Sequence, residues 1–176
     1  VVSQYVDALA VRTFGHSLLE ELAEYASIPI INALSDDAHP CQAMADMLTL
    51  AELKPDLAGL KLAFIGDGNN VAMSLAEAAA LLGVEFVLAC PEGYEYPEAF
   101  TQAFAARFPG AELVVTHDPR AAADGADVIY TDVWASMGQE HEADSRREIF
   151  APFQVDEELM DAARPDAVFL HCLPAH

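Results

Sequence analysis

Four short clusters hold most of the side chains whose types and spacing suit chemistry. In His39-Pro40-Cys41-Gln42 the proline suits the first position of a helix, so His39 and Gln42, three apart, share its first turn. Free N–H groups and the positive end of the helix dipole make such a turn an anion site. There His39 can donate to a polarised carbonyl oxygen and Gln42 can bond an amide, with Asp46 one turn on to orient it. Asp132-Val133-Trp134-Ala135-Ser136-Met137-Gly138 offers a carboxylate suited to an ammonium group, and Ser136 adds a neutral hydrogen bond. Gly66-Asp67-Gly68-Asn69-Asn70 sets two amides at a predicted helix start, where they can hold a carboxylate. His171-Cys172-Leu173-Pro174-Ala175-His176 places a thiol between two imidazoles, which suits a reactive or substrate-contacting cysteine.

Each cluster also has a plain structural reading: a capping histidine, an Asn-rich turn and cap, an Asp/Ser turn beside a buried Trp134. Zinc at the last cluster is not expected, since its spacing matches no structural zinc pattern. Gly66-x-Gly68 is half of a dinucleotide fingerprint, but Val71 stands where the third glycine belongs. The next predicted strand ends in Ala89-Cys90 and lacks the acid that would hold a ribose hydroxyl, so no nicotinamide cofactor is expected.

The elements that must position these clusters are legible in the apolar patterning. Helical spacing runs over Ser17–Ala26, a short buried strand over Ile28–Ala33, and a helix from Pro40 to about Leu53. Lys54-Pro55-Asp56-Leu57-Ala58-Gly59 reads as a linker. Beyond it strands and helices alternate: strands over Leu60–Ile65, Val84–Ala89, Glu112–Thr116, Asp127–Thr131 and Ala167–Leu170, and helices over Val71–Leu82, Glu98–Arg107 and Glu157–Ala163. Such alternation predicts an α/β fold with a doubly wound parallel sheet covered on both faces. Ligands of these sheets bind beyond the carboxyl ends of the strands. Three of the four clusters follow a predicted strand, so they should converge on one edge.

Composition narrows the partners. With 8 Lys+Arg against 29 Asp+Glu the 176 residues carry a formal charge of −21, which argues against nucleic acid. An acidic surface suits a cationic small molecule, or simply solubility. At 53% hydrophobic the chain can bury a core, yet it has no apolar run of the roughly 18 residues a membrane span needs. Cys41, Cys90 and Cys172, odd in number and far apart, fit a reducing cytoplasm rather than a disulfide framework. Val1-Val2-Ser3-Gln4 shows no signal peptide, and the lack of an initiator Met predicts a chain cut from something longer.

Taken together and in order, the four motifs resemble the ornithine carbamoyltransferase family, within the aspartate/ornithine carbamoyltransferases. Ala45-Asp46, Leu48-Thr49 and Ile31-Asn32-Ala33-Leu34-Ser35-Asp36 are similar to that family as well, and the Ser136-Met137-Gly138 loop is the part specific to the ornithine enzymes. The resemblance implies transfer of the carbamoyl group of carbamoyl phosphate to the δ-amine of L-ornithine, giving citrulline and phosphate without a cofactor. It implies that Arg12, His39 and Gln42 contact carbamoyl phosphate and that Asn70, Asp132, Ser136, Met137, Cys172 and Leu173 contact ornithine. Arg12, His39 and Cys172 are the expected catalytic residues, His39 at the carbonyl oxygen and Cys172 assisting loss of the amine proton. Residues 1–53 resemble the C-terminal part of the carbamoyl phosphate domain and the interdomain helix, and residues 54–176 a Rossmann-like ornithine domain. The family's Ser-Thr-Arg-Thr phosphate loop and its closing Arg-Gly segment have no counterpart among these residues. Activity is therefore expected of a complete chain, as a cytoplasmic homotrimer, with the present segment exposing apolar surface. A shortened, non-catalytic paralogue that binds ornithine is the alternative.

Overall fold

A computed structural model describes residues 1–135 and 140–175. Strand β1 (Leu9–Arg12) runs parallel to β2 (Ile30–Leu34), with Leu9 opposite Ile30 and helix α1 (Ser17–Tyr25) as the crossover. The patterning predicts α1 and β2 but not β1, which is four residues long, has no fully buried position and ends on a cation. Helix α2 (Pro40–Leu53) opens on its proline as expected, and the Lys54 N–H closes it on the Leu50 carbonyl.

The larger sheet has five parallel strands in the order β5-β4-β3-β6-β7. These are β3 (Lys61–Ile65), β4 (Glu85–Ala89), β5 (Val114–Thr116), β6 (Val128–Thr131) and β7 (Val168–His171). The chain builds outward from β3 through β4 to β5, then returns to β3's other side for β6 and β7. That reversal, between β3 and β4 on one hand and β6 on the other, opens a crevice at the carboxyl edge. The α/β parallel-sheet expectation holds.

Alternation along β3 divides the core into two layers. Leu62 and Phe64 pack with Leu88, Val128 and Tyr130 against α2 and α3 (Asn70–Leu82), where Ala43, Met47, Leu50 and Leu75 are buried. Ala63 and Ile65 face Ala122, Ala123, Ile129, Phe150 and Phe153 on the other side. Helix α3 begins where Asn69 Oδ1 accepts from the N–H groups of Val71 and Ala72 and ends on Gly83 at φ 72°. Helix α4 (Glu98–Arg107) matches its prediction.

Two helices, α5 (Pro119–Ala123) and α6 (Ala143–Phe150), were not legible, and α7 (Glu157–Met160) is shorter than its pattern suggests. The α6 segment Ala-Asp-Ser-Arg-Arg-Glu-Ile-Phe shows only two large apolar residues at its end, too few to mark a periodic stripe. Among the described residues no helix is long and apolar enough to cross a membrane.

Candidate active site

A cavity of about 410 Å³ lies over the crevice. Arg12 reaches it from the end of β1, His39 from the start of α2, Asn69 and Asn70 from the turn after β3. Asp132 enters beyond β6, and Cys172 and Leu173 beyond β7. The structure thus brings Arg12, His39, Asn70, Asp132, Cys172 and Leu173 to one space, as the convergence of strand ends requires. Gln42 is not in the cavity wall. Ser136 and Met137 lie outside the described residues.

Asp132 accepts three hydrogen bonds in the cavity wall. It is 7% exposed; Oδ1 accepts from Cys172 Sγ at 2.8 Å and from the Val133 N–H at 2.6 Å, and Oδ2 accepts from Asn69 Nδ2 at 2.8 Å. All three donors are neutral, so these bonds fix the carboxylate without cancelling its charge. That suits recognition of an ammonium group. Burial pushes the Cys172 thiol well above its ordinary value, and the neighbouring Asp132 adds to the shift. The cysteine is therefore a protonated donor to Asp132 rather than a thiolate.

The two asparagines divide their work. Asn69 caps α3 with its oxygen while its nitrogen holds Asp132, a contact to the clamp that the sequence reading gave no particular role. The signal was present: of two adjacent amides at a helix start, one must be the cap. Asn70 Nδ2 donates to the Ser35 carbonyl at 2.7 Å, which ties the turn after β3 to the segment after β2. A second tie runs from the His39 N–H to Ser74 Oγ at 2.8 Å.

At the start of α2 His39 Nδ1 is buried without a hydrogen-bond partner among the described residues. Burial lowers the imidazole's pKa and the Arg12 charge lowers it further, against an opposing pull from Asp132. A neutral ring results at neutral pH. Gln42, one turn along α2, donates Nε2 to Asp46 Oδ1 at 2.9 Å, as its spacing suggested.

Arg146 was not singled out by sequence, where it is one of eight scattered cations. It is 5% exposed on α6, pairs with Asp67 in the cavity wall, and donates to the Trp134 carbonyl. Its guanidinium lies 4.9 Å from the Tyr94 ring centre and 5.1 Å from that of Phe150. Burial raises the Asp67 pKa, and Arg146 holds it back. The arginine fastens the β3 turn, through Asp67, to Trp134 in the segment after Asp132.

Gly68 explains the fingerprint-like turn. A Cβ there would lie 2.7 Å from the Glu95 carbonyl carbon and 2.8 Å from the Tyr96 nitrogen. The glycine is needed because the Glu95–Tyr96 backbone passes directly beside it. Among the described residues no group of three or more His, Cys, Asp or Glu side chains is placed to hold a metal ion.

A parallel sheet whose order reverses beneath a cavity lined by a buried carboxylate and a helix start places this chain among the α/β proteins, a class in which ligands bind at the carboxyl edge of the sheet. Residues 58–176 match the family described as aspartate/ornithine carbamoyltransferase, Asp/Orn binding domain, and residues 1–52 match its carbamoyl-P binding domain. The chain belongs to the aspartate/ornithine carbamoyltransferase family. It is 58% identical to an ornithine carbamoyltransferase of Anoxybacillus flavithermus, over 100% of this chain and 57% of that protein. An ornithine carbamoyltransferase of Geobacillus stearothermophilus is 55% identical over the same shares. The solved ornithine carbamoyltransferase of Pyrococcus furiosus superposes with a TM-score of 0.90 at 52% identity, covering 99% of this chain and 56% of that one. The chain therefore spans somewhat over half the length of the relatives it matches.

Proposed function

We propose that the protein carrying this sequence transfers the carbamoyl group of carbamoyl phosphate to the δ-amine of L-ornithine, releasing L-citrulline and phosphate. The observation that carries this reading is the Asp132 carboxylate, held by three neutral donors, in one cavity wall with Arg12 and His39. One side suits an ammonium group and the other an anion with a polarised carbonyl. Asp132 takes the α-ammonium of ornithine, with Ser136 and Met137 completing that loop, and Asn70 meets the α-carboxylate through its amide.

Arg12 spans the phosphate and carbonyl oxygens of carbamoyl phosphate, as a guanidinium fork can. Gln42 holds the carbamoyl amide. His39, kept neutral by burial and by Arg12, donates to the carbonyl oxygen as charge grows there. The neutral δ-amine forms a bond to the carbamoyl carbon, the bond to the phosphate oxygen breaks, and one amine proton is lost. Leu173 and Cys172 flank the amine. Because Cys172 is protonated and bonded to Asp132, it assists through that pair and not as a free thiolate. No cofactor is required. Residues 1–53 supply the anion side and residues 54–176 the ornithine side, and a cytoplasmic homotrimer is the working form.

The test is citrulline formation by the purified full-length protein. Asp132→Ala and His39→Ala should each lower turnover by at least about a hundredfold. A well-folded full-length protein that makes no citrulline overturns the proposal.

A further inference from the structure

Beneath the anion side a line of three side chains crosses from the sheet to α2. Tyr130 Oη on β6 donates to Asp46 Oδ2 at 2.9 Å, and Gln42 Nε2 donates to the other oxygen, Oδ1, at 2.9 Å. Tyr130 has no exposed surface and stacks on Phe64 with ring centres 5.3 Å apart; Asp46 is 7% exposed. A carboxylate this deep is stable only while both oxygens are bonded, because an unpaired one carries the full cost of lost hydration.

The line has a directional consequence. A glutamine amide has a donor end and an acceptor end of nearly equal shape, so packing alone does not decide which faces a ligand. An ionised carboxylate only accepts. With Asp46 fixed, Gln42 must turn its NH₂ toward the carboxylate, which leaves its carbonyl oxygen as the end not engaged by Asp46. That is the end a substrate NH₂ group needs. Asp46 cannot swing away to relax the choice while Tyr130 holds its second oxygen. No step of the reaction above uses Tyr130, although it lies on β6 two residues before Asp132, which follows that strand.

We propose that Tyr130 is a positioning residue for the carbamoyl amide, its hydroxyl locking Asp46 so that Gln42 presents its carbonyl oxygen to the substrate NH₂. This inference rests on the role given to Gln42 above. One strand then serves both substrates: Asp132 just beyond its end clamps ornithine, and Tyr130 within it aligns the carbamoyl donor.

The test is steady-state kinetics of the full-length protein with both substrates varied. Tyr130→Phe keeps the ring stack and removes only the hydroxyl. It should raise KM for carbamoyl phosphate about tenfold while KM for ornithine and kcat stay within about twofold. In a Gln42→Ala background the same change should add nothing, since the amide it orients is gone. Should Tyr130→Phe fail to fold, Asp46→Asn replaces it and should give the same selective rise and the same loss of effect. An unchanged KM for carbamoyl phosphate, an equal rise in both KM values, or additivity with Gln42→Ala overturns the proposal. Failure of the reading beneath it would look different: Gln42→Ala alone would leave KM for carbamoyl phosphate unchanged in an enzyme that still makes citrulline.

Discussion

His39 and Asp132 show how single residues in this site are tuned by what surrounds them rather than by their type. His39 is held neutral because burial and Arg12 both penalise its charged form. This has a consequence for stability. Unfolded, the ring has its ordinary pKa of 6.5; folded, its pKa is lower. Between the two values the unfolded chain binds a proton that the folded chain refuses, so His39 destabilises the fold as pH drops below about 6.5. Asp46 and Asp67 act in the opposite sense. Their folded pKa values are raised above 3.8, so their stabilising protonation is lost as pH climbs from there. Comparing urea unfolding of the native protein and His39→Gln from about pH 7.5 to pH 5.5 isolates the histidine: the native protein should lose stability relative to the variant as pH falls. Equal slopes would mean that His39 is as free to ionise in the fold as out of it.

At the scale of elements, the site depends on turns brought together from distant parts of the chain, and this decides what was legible in the sequence. Helix α3 could be read from its ends, because Asn69 and Gly83 are local signals that sit beside the helix they bound. The placing of Asp132 beyond a strand was legible for the same reason. The burial of Arg146 was not, because its partner Asp67 lies 79 positions earlier and nothing near Arg146 distinguishes it from Arg147. Strand β1 escaped notice because its pairing with β2 is fixed by a neighbour 21 positions away, opposite Leu9, and not by alternation of its own. Gly68 was legible as a turn glycine but not in its purpose, since the backbone it accommodates belongs to Glu95 and Tyr96. An added methyl group has no room beside that rigid backbone, so Gly68→Ala should push the β3 turn outward and carry Asn69 away from Asp132. We expect a stability loss of about 1–3 kcal/mol and a several-fold rise in KM for ornithine. Urea unfolding and ornithine titration read the two effects; a stable variant with unchanged ornithine KM would show that the turn yields elsewhere.

For the whole molecule two long-range features oppose each other. Its 176 residues carry a net charge of −21, which keeps copies apart. Yet the large apolar side chains left in water are concentrated at one end. Of eighteen among the described residues, eleven lie in residues 1–53, Leu18, Tyr25, Met44 and Leu48 among them, although that span is under a third of the chain. Met44 and Leu48, one turn apart on α2 and 67% and 62% exposed, share a face. Apolar surface on this scale drives association, whereas the charge resists it only as far as its field extends. That reach is about 10 Å at 0.1 M salt and about 3 Å at 1 M. Raising the salt therefore removes the repulsion while leaving the apolar attraction intact. Light scattering on the 176-residue chain should show a mass near its 18.9 kDa at low salt and a rising mass as sodium chloride approaches 1 M. Met44→Ser with Leu48→Ser should suppress the rise without altering the sheet, since both side chains point to solvent. If instead the mass grew equally in the double variant, the association would have to arise from other exposed apolar side chains, such as Leu81 on α3.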